Sequence, residues 1–164
     1  MGKLYRPNAG IVIFNREGKV LVLARADKED MQWQFPQGGI DDGELPIKAA
    51  IRELQEETGI ENAKVIYAAK EPIKYDFPPH VLEKFKALGR SNIGQIQFWF
   101  LFFFEGDDAE INLCAFPEEI EFKAYEWIEI DEAVVRIVDF KKQAYTRVAA
   151  EFKPVIAEFI SRLK

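Results

Sequence analysis

The chain has only one cysteine and one histidine among its 164 residues. Cys114 has no internal partner for a disulfide and cannot build a cysteine-based metal site, so we expect a reducing, cytoplasmic setting. No run of 18 or more residues is apolar throughout, which predicts that no segment spans a membrane. The first ten residues, MGKLYRPNAG, lack the apolar core of a secretory signal.

Positive charge is also in short supply, since 22 Lys and Arg residues face 28 Asp and Glu residues and the net charge is −6. Proteins that coat nucleic acid are usually basic. We therefore expect no binding to long nucleic acid through many phosphate contacts, although a few local cations would suffice to bind one end of a strand. Linkers, repeats and low-complexity tracts are missing as well, and this predicts one domain over residues 1–164.

Short apolar runs surround one amphipathic helix. Strands are predicted at residues 10–14, 19–24, 32–35, 63–70, 95–104 and 122–128, with a hairpin extension at 111–114. Helices are predicted at residues 46–58, 81–88, 130–135 and 140–163, and an irregular insertion at 76–92. Strands on both sides of one helix, with another helix at the end, predict an α/β/α sandwich with a mixed central sheet. Near-continuous aromatics at 95–104 predict a strand buried on both faces.

Residues 38–60, GGIDDGELPIKAAIRELQEETGI, are the most informative stretch of the chain. Pro46 suits the first turn of a helix, where a missing N–H costs nothing. Gly59 stands where a left-handed cap is expected to end the helix. Because successive residues turn by about 100° around a helix axis, the side chains of this helix fall on two adjacent arcs. The arc expected to pack on the domain holds Ile47, Ala50, Ile51 and Leu54, and the second arc holds Glu53, Glu56 and Glu57 with Ala49 among them.

Three glutamates at i, i+3 and i+4 repel one another and destabilise a bare helix. A divalent cation would offset this repulsion, because hard ions such as Mg²⁺ favour clustered oxygen ligands. Glu53, Glu56 and Glu57 are therefore the expected metal ligands, with Mn²⁺ as a substitute ion. Either Glu53 or Glu57 is expected to act as general base. Arg52 joins this catalytic set by pairing with a carboxylate such as that of Glu44; the alternative for that pair is an ordinary surface ion pair.

The same stretch resembles the Nudix box, G-x5-E-x7-R-E-U-x-E-E-x-G-U, where U is aliphatic, and every defined position matches. The resemblance implies a Nudix-type α/β/α sandwich and a hydrolase that cleaves nucleoside diphosphates linked to another group. It is also consistent with a role for the backbone of Gly38 near the metal and the phosphates. A further metal-binding glutamate outside the box is implied. Glu121 matches its position best, and Glu118 and Glu119 are alternatives.

Residues 5–8, 33–39 and 138–142 resemble members of this family that remove pyrophosphate from the 5′-triphosphate end of RNA and so initiate mRNA decay. They also resemble relatives that hydrolyse dinucleoside polyphosphates. The resemblance implies substrate contacts at Arg6, Arg25, Val138, Phe140 and Lys141. For Phe140 the alternative is a core residue, and for Lys141 it is a solvated helix start. His80 is expected in a loop, without a catalytic role.

Three functions remain open on the sequence. The first is an RNA 5′-pyrophosphohydrolase, the second is a dinucleoside polyphosphate hydrolase, and the third is a noncatalytic module with the Nudix fold. A noncatalytic module is expected to lose box carboxylates, and none is missing here. The expected partner is therefore a triphosphorylated RNA end or a nucleotide. The sequence does not indicate a protein partner.

Overall fold

A mixed sheet runs through the structure, which is a computed structural model describing residues 4–163. Its strands are β1 (Tyr5–Phe14), β2 (Val20–Arg25), β3 (Trp33–Gln34), β4 (Gln37–Gly39), β5 (Ala63–Ala68), β6 (Ile73–Asp76), β7 (Gly94–Phe104) and β8 (Phe122–Ile128). The helices are α1 (Pro46–Thr58), α2 (Pro79–Ala87), α3 (Ile130–Arg136) and α4 (Lys142–Leu163). Short 3₁₀ turns lie at Asp108–Glu110, Pro117–Glu119 and Asp139–Lys141.

The strands follow the order β3-β2-β1-β7-β5, with β8 paired to β2, β4 to β1 and β6 to β7. The long strands β1 and β7 run parallel from Tyr5 beside Gly94 to Phe14 beside Phe103. The other strand pairs are antiparallel. The predicted mixed sheet is therefore confirmed.

Each face of the sheet carries its own apolar core. On one face Trp99, Leu101 and Phe103 of β7 pack with residues of α3 and α4. On the other face Phe100, Phe102 and Phe104 pack with Ala49, Ala50 and Leu54 of α1. Alternate residues of one strand feed both cores, as strand geometry requires. The sandwich and the burial of this strand on both faces are confirmed.

Helix α1 begins and ends where the sequence predicts. Pro46 occupies its first turn, and Gly59 ends it with a left-handed φ of 73°. The arc predicted to pack on the domain was wrong at one position, because Ile51 is 44% exposed. Ala49, Glu53 and Glu57 are buried instead. The inward face of the helix therefore includes two carboxylates, and a hydrophobic arc alone does not reveal this.

Two other predictions are corrected. Residues 111–114 form no strand; the N–H of Asn112 bonds to the carbonyl of Thr58 at 2.7 Å and ties this segment to the end of α1. The helix predicted at residues 81–88 inside the insertion is confirmed as α2, although it begins two residues earlier, and the insertion also contains the end of β6, which was not predicted. His80 consequently lies on a helix and not in a loop. Within residues 4–163, no helix is long and apolar enough to cross a membrane.

Candidate active site

Arg52 lies at the centre of a hydrogen-bonded network on α1. Its Nε and Nη2 donate to the two oxygens of Glu44 at 3.0 and 2.9 Å. Nη1 donates to Glu53 at 2.8 Å, and Nη2 also reaches the carbonyl of Gly39 at 2.9 Å. Bidentate pairs of this kind are among the strong hydrogen bonds. The Arg52 bond lowers the pKa of Glu44 to about 2, so Glu44 is a fixed anion that orients Arg52.

The two glycines of strand β4 each lie against a different side chain. A Cβ on Gly38 would overlap the carboxylate of Glu53. A Cβ on Gly39 would lie 2.8 Å from Nη2 of Arg6. Any side chain at residue 38 would therefore displace Glu53, which explains why the chain uses glycine there. Arg6, predicted to bind substrate, is exposed at the start of β1 and reaches this glycine pair.

Glu57 is buried at the same strand. One of its oxygens accepts from the backbone N–H of Gln37 at 3.1 Å. Its Oε1 is buried without a hydrogen-bond partner among the described residues. Burial, reinforced by the charges of Glu121 and Glu53, raises the pKa of Glu57 well above its usual value. A buried, unpartnered carboxylate oxygen is costly unless something positive binds it.

Glu53 is also largely buried, with 8% of its surface exposed. Burial raises its pKa to about 7, against the lowering effect of its bond to Arg52. Neighbouring Glu56 and Glu121 raise it further. A carboxylate that titrates near neutral pH suits proton transfer at that pH.

The predicted glutamate outside the box lies within electrostatic reach of this cluster. Glu121 immediately precedes β8, and its carbonyl accepts from the N–H of Ala26 at 2.8 Å. Its charge raises the pKa of both Glu53 and Glu57. The alternative Glu118 is exposed in a 3₁₀ turn, and the side chain of Glu119 lies outside the described part of the structure.

These residues fit a divalent cation in the chemistry of their donors, because the oxygen ligands are clustered and one buried oxygen lacks a partner. Among residues 4–163, no three His, Cys, Asp or Glu side chains already stand together as a ready-made site. In this structure Arg52 bonds to Glu53 at 2.8 Å and contacts Glu56 at 3.4 Å.

A cavity of about 1020 Å³ is lined by Arg25 and Lys141, both of which interact electrostatically with Glu57; the box carboxylates are not among its lining residues. Four of the five predicted substrate contacts line it, namely Arg25, Val138, Phe140 and Lys141. Arg6 is not among the lining residues. The fold therefore brings Arg25 together with the segment 138–141 at one cavity, and it places Arg6 at the glycine pair.

The cations of the cavity are coupled to the carboxylate cluster. Burial and the charge of Arg25 lower the pKa of Lys141 to about 8, while Glu57 raises it. Arg25 forms a bidentate pair with Asp27 at 2.9 and 2.8 Å. The ring of Phe140 lies 6.1 Å from that of Tyr75, and neither side chain is fully buried. Phe140 is thus a cavity wall and not a core residue.

Sequence reasoning missed the wall that faces Phe140. Helix α2 contributes His80, Val81, Lys84 and Phe85 to the cavity. The sequence signal for this wall was weak, because the segment is short and has two prolines before its apolar residues. Tyr75 on β6 was missed as well; its hydroxyl donates to Gln95 at 2.7 Å and burial raises its pKa.

A comparison with protein-family models matches the NUDIX domain to residues 4–150. The chain belongs to this family, whose members are hydrolases that generally use divalent metals.

Among curated proteins, it is 44% identical over 155 residues to an RNA pyrophosphohydrolase of Cereibacter sphaeroides, covering 93% of each chain. It is also 44% identical over 150 residues to the chloroplastic Nudix hydrolase 26 of Arabidopsis thaliana, covering 90% of this chain and 69% of that protein. Among solved structures, the E. coli dihydroneopterin triphosphate pyrophosphohydrolase aligns with a TM-score of 0.66 at 22% identity, over 88% of this chain and 97% of that one. At that identity the likeness shows the fold alone.

Proposed function

We propose that this chain is an RNA 5′-pyrophosphohydrolase, which removes pyrophosphate from the 5′-triphosphate end of RNA and leaves a 5′-monophosphate. The observation that carries the proposal is a pair of cations shared by a cavity and the acidic cluster. Arg25 and Lys141 line a cavity whose wall includes Phe140, and both interact electrostatically with Glu57 of the box. A terminal nucleotide in the cavity would therefore extend its phosphates toward the acidic cluster. The identity to RNA pyrophosphohydrolases supports the same substrate.

The residues divide the work by their environments. Glu53, Glu56, Glu57 and Glu121, with the backbone of Gly38, would hold Mg²⁺, or Mn²⁺ in its place. When bound, the ion supplies positive charge that stabilises the phosphate oxygens and acidifies water. Arg52, fixed by Glu44, orients Glu53.

Proton acceptance needs a carboxylate held in a fixed position within reach of the attacking water. We assign this role to Glu53, because Arg52 holds its carboxylate through a hydrogen bond of 2.8 Å. Glu57 is buried more deeply and has one oxygen occupied by the N–H of Gln37, which suits a ligand.

The substrate contacts follow the cavity. Phe140 offers an aromatic face to an unpaired base, because such bases stack on aromatic side chains. Arg25 and Lys141 would contact phosphates, and Val138 would complete the apolar wall. Arg6 would act from the glycine pair, on the side opposite Glu53. A cytoplasmic location stays a prediction from the single cysteine.

Digestion of 5′-labelled triphosphate RNA with Mg²⁺, beside diadenosine tetraphosphate, tests the function. We expect pyrophosphate and 5′-monophosphate RNA as products. Glu53→Gln should lower kcat by about 100-fold or more, in the range of a lost general base, with a circular dichroism spectrum like that of wild type. Cleavage of diadenosine tetraphosphate far faster than RNA would favour the dinucleoside polyphosphate hydrolase. Near-normal turnover by Glu53→Gln would exclude its role as base.

A further inference from the structure

Helix α2 stands outside both apolar cores. None of its nine described residues is buried. The ring of Phe85 on this helix packs against the ring of Phe77, with centroids 4.9 Å apart. Phe77 continues to Tyr75 at 6.0 Å, and Tyr75 to Phe140 at 6.1 Å. The helix therefore contributes little to core burial, yet a chain of aromatic contacts connects it to the candidate base platform.

The side of α2 that faces the cavity is cationic. Lys84 lines the cavity from the last turn of the helix, and Lys28 lines it from the loop after β2. With Arg25 and Lys141 they make four basic side chains, against Asp139 as the acidic residue among those lining the cavity. The whole chain has a net charge of −6. A positive cleft in a negative protein concentrates anionic ligands.

Lys28 is held in place by an unrelated part of the chain. Its carbonyl accepts from Nζ of Lys123 on β8 at 2.6 Å. The loop that follows Arg25 is also tied by the bond from the N–H of Arg25 to the carbonyl of Gln32 at 3.0 Å. The backbone of the loop that carries Lys28 is therefore anchored, and Lys28 and Lys84 extend the positive charge of the cavity wall beyond Arg25 and Lys141.

The cavity is large for one nucleotide. Its volume of about 1020 Å³ is at the top of the range of roughly 300–1,000 Å³ for small-molecule sites. The triphosphate end would account for the cations nearest Glu57, namely Arg25 and Lys141. Lys28 and Lys84 would then have no phosphate to bind unless the substrate continues as a chain.

We propose that Lys84 and Lys28 bind the backbone phosphates of the nucleotides that follow the triphosphorylated one. This inference rests on the proposed function, and it makes the protein select for RNA chains over single nucleotides. Contacts to successive phosphates add affinity that depends on salt. A nucleoside triphosphate has no such phosphates and gains nothing from them.

Lys86 is a matched control for Lys84, because it is exposed on the same helix turn but does not line the cavity. Lys84→Glu and Lys86→Glu would be compared on a nucleoside triphosphate and on 5′-triphosphate RNAs of two and ten nucleotides. We expect Lys84→Glu to lower the ratio of kcat/KM for the ten-nucleotide RNA to that for the mononucleotide about tenfold, mainly through KM. Lys86→Glu should change this ratio less than about twofold.

Salt dependence gives a second readout that a structural effect would not move. Lys84→Ala and Lys28→Ala should each reduce the slope of log affinity against log salt by about 0.7 for the ten-nucleotide RNA, with Lys86→Ala unchanged. Equal effects of Lys84 and Lys86 substitutions would overturn the inference and leave the proposed function standing. If the wild-type protein does not convert triphosphorylated RNA, both this inference and the proposed function are wrong.

Discussion

At the scale of single residues, the site is defined by carboxylates kept in an unfavourable environment. Glu53 and Glu57 are 8% and 4% exposed, and burial raises the pKa of both. Burying an ionisable group without a full set of partners costs stability. The same burial keeps Glu53 and Glu57 within electrostatic reach of each other and of Glu121.

Glu57→Gln should therefore stabilise the metal-free protein as the pH rises. A raised pKa in the folded state means that the folded protein binds more protons than the unfolded one, so wild-type stability falls as the pH rises above the ordinary pKa of a glutamate, 4.5. Glutamine does not titrate, so the variant does not lose stability in this way. The free energy of unfolding of the variant relative to wild type should therefore be greater at pH 8 than at pH 5. Denaturant unfolding at pH 5 and pH 8 measures it.

The control is the same pair of proteins with Mg²⁺ present. The ion should raise the thermal midpoint of wild type more than that of Glu57→Gln, since only wild type has both carboxylate oxygens to offer. A stability difference that does not depend on pH would contradict the assignment of Glu57 as a buried titrating group.

At the scale of elements, the position of the site depends on how closely β4 approaches α1. Gly38 and Gly39 are neighbours in one strand, yet a Cβ would meet different obstacles at each. On Gly38 it would overlap the carboxylate of Glu53, and on Gly39 it would press on the end of the Arg6 side chain. Arg6 is exposed and can swing away, whereas Glu53 is held by Arg52.

Gly38→Ala should consequently lower kcat by at least about 100-fold, because a small displacement at the site removes a positioned carboxylate. Gly39→Ala should act mainly on KM and by less than about tenfold. Steady-state kinetics on triphosphorylated RNA, with circular dichroism to confirm the fold, separates the two. Equal losses in kcat would mean that the approach of β4 to Glu53 does not matter.

Elements also show what a sequence can predict. Helix α1 was placed correctly because Pro46 and Gly59 act locally, through backbone geometry, and need no tertiary information. Its buried face was misjudged at Ile51, since the sheet edge beside β4 turns the glutamates inward and leaves Ile51 exposed at 44%. A prediction from hydrophobic periodicity places carboxylates on the solvent side of a helix, and this placement is wrong for the two buried glutamates of α1.

The site followed the same division. The glutamate cluster on α1 was predicted from the spacing of the box residues. The predicted pairing of Arg52 with Glu44 is confirmed. The α2 wall was missed because β6 is only four residues long and its pairing with β7 is nonlocal. The helix itself was predicted at residues 81–88, but no local pattern indicates that its side chains line a cavity and do not pack in a core.

At the scale of the whole molecule, α4 connects the far face of the sheet to the strand that carries the site. The hydroxyl of Tyr145 accepts from the buried N–H of Phe35 at 2.9 Å, and the two rings stack at 4.6 Å. Phe35 lies two residues before Gln37, whose N–H bonds to Glu57. The position of the carboxylates therefore depends on packing across the sheet.

Tyr145→Phe should lower the free energy of unfolding by about 1–3 kcal/mol, because it leaves a buried N–H without a partner. The thermal midpoint should fall by several degrees, since about 1 kcal/mol corresponds to roughly 2–4 °C at this size. Tyr67→Phe is the control, as Tyr67 donates to Glu151 at a partly exposed position and should cost less. A similar loss in both variants would contradict the importance of the buried bond.

Helix α2 has one more consequence, for how such a protein changes over generations. Because none of its described residues is buried in a core, substitutions and length changes there should seldom cost the chain its fold. Carboxylates on α1 have no such freedom, since each move disturbs β4. The preference for RNA of a given length can therefore change by substitution at α2 while the hydrolytic centre stays the same. Substrate preference and the hydrolytic reaction thus depend on different parts of the molecule.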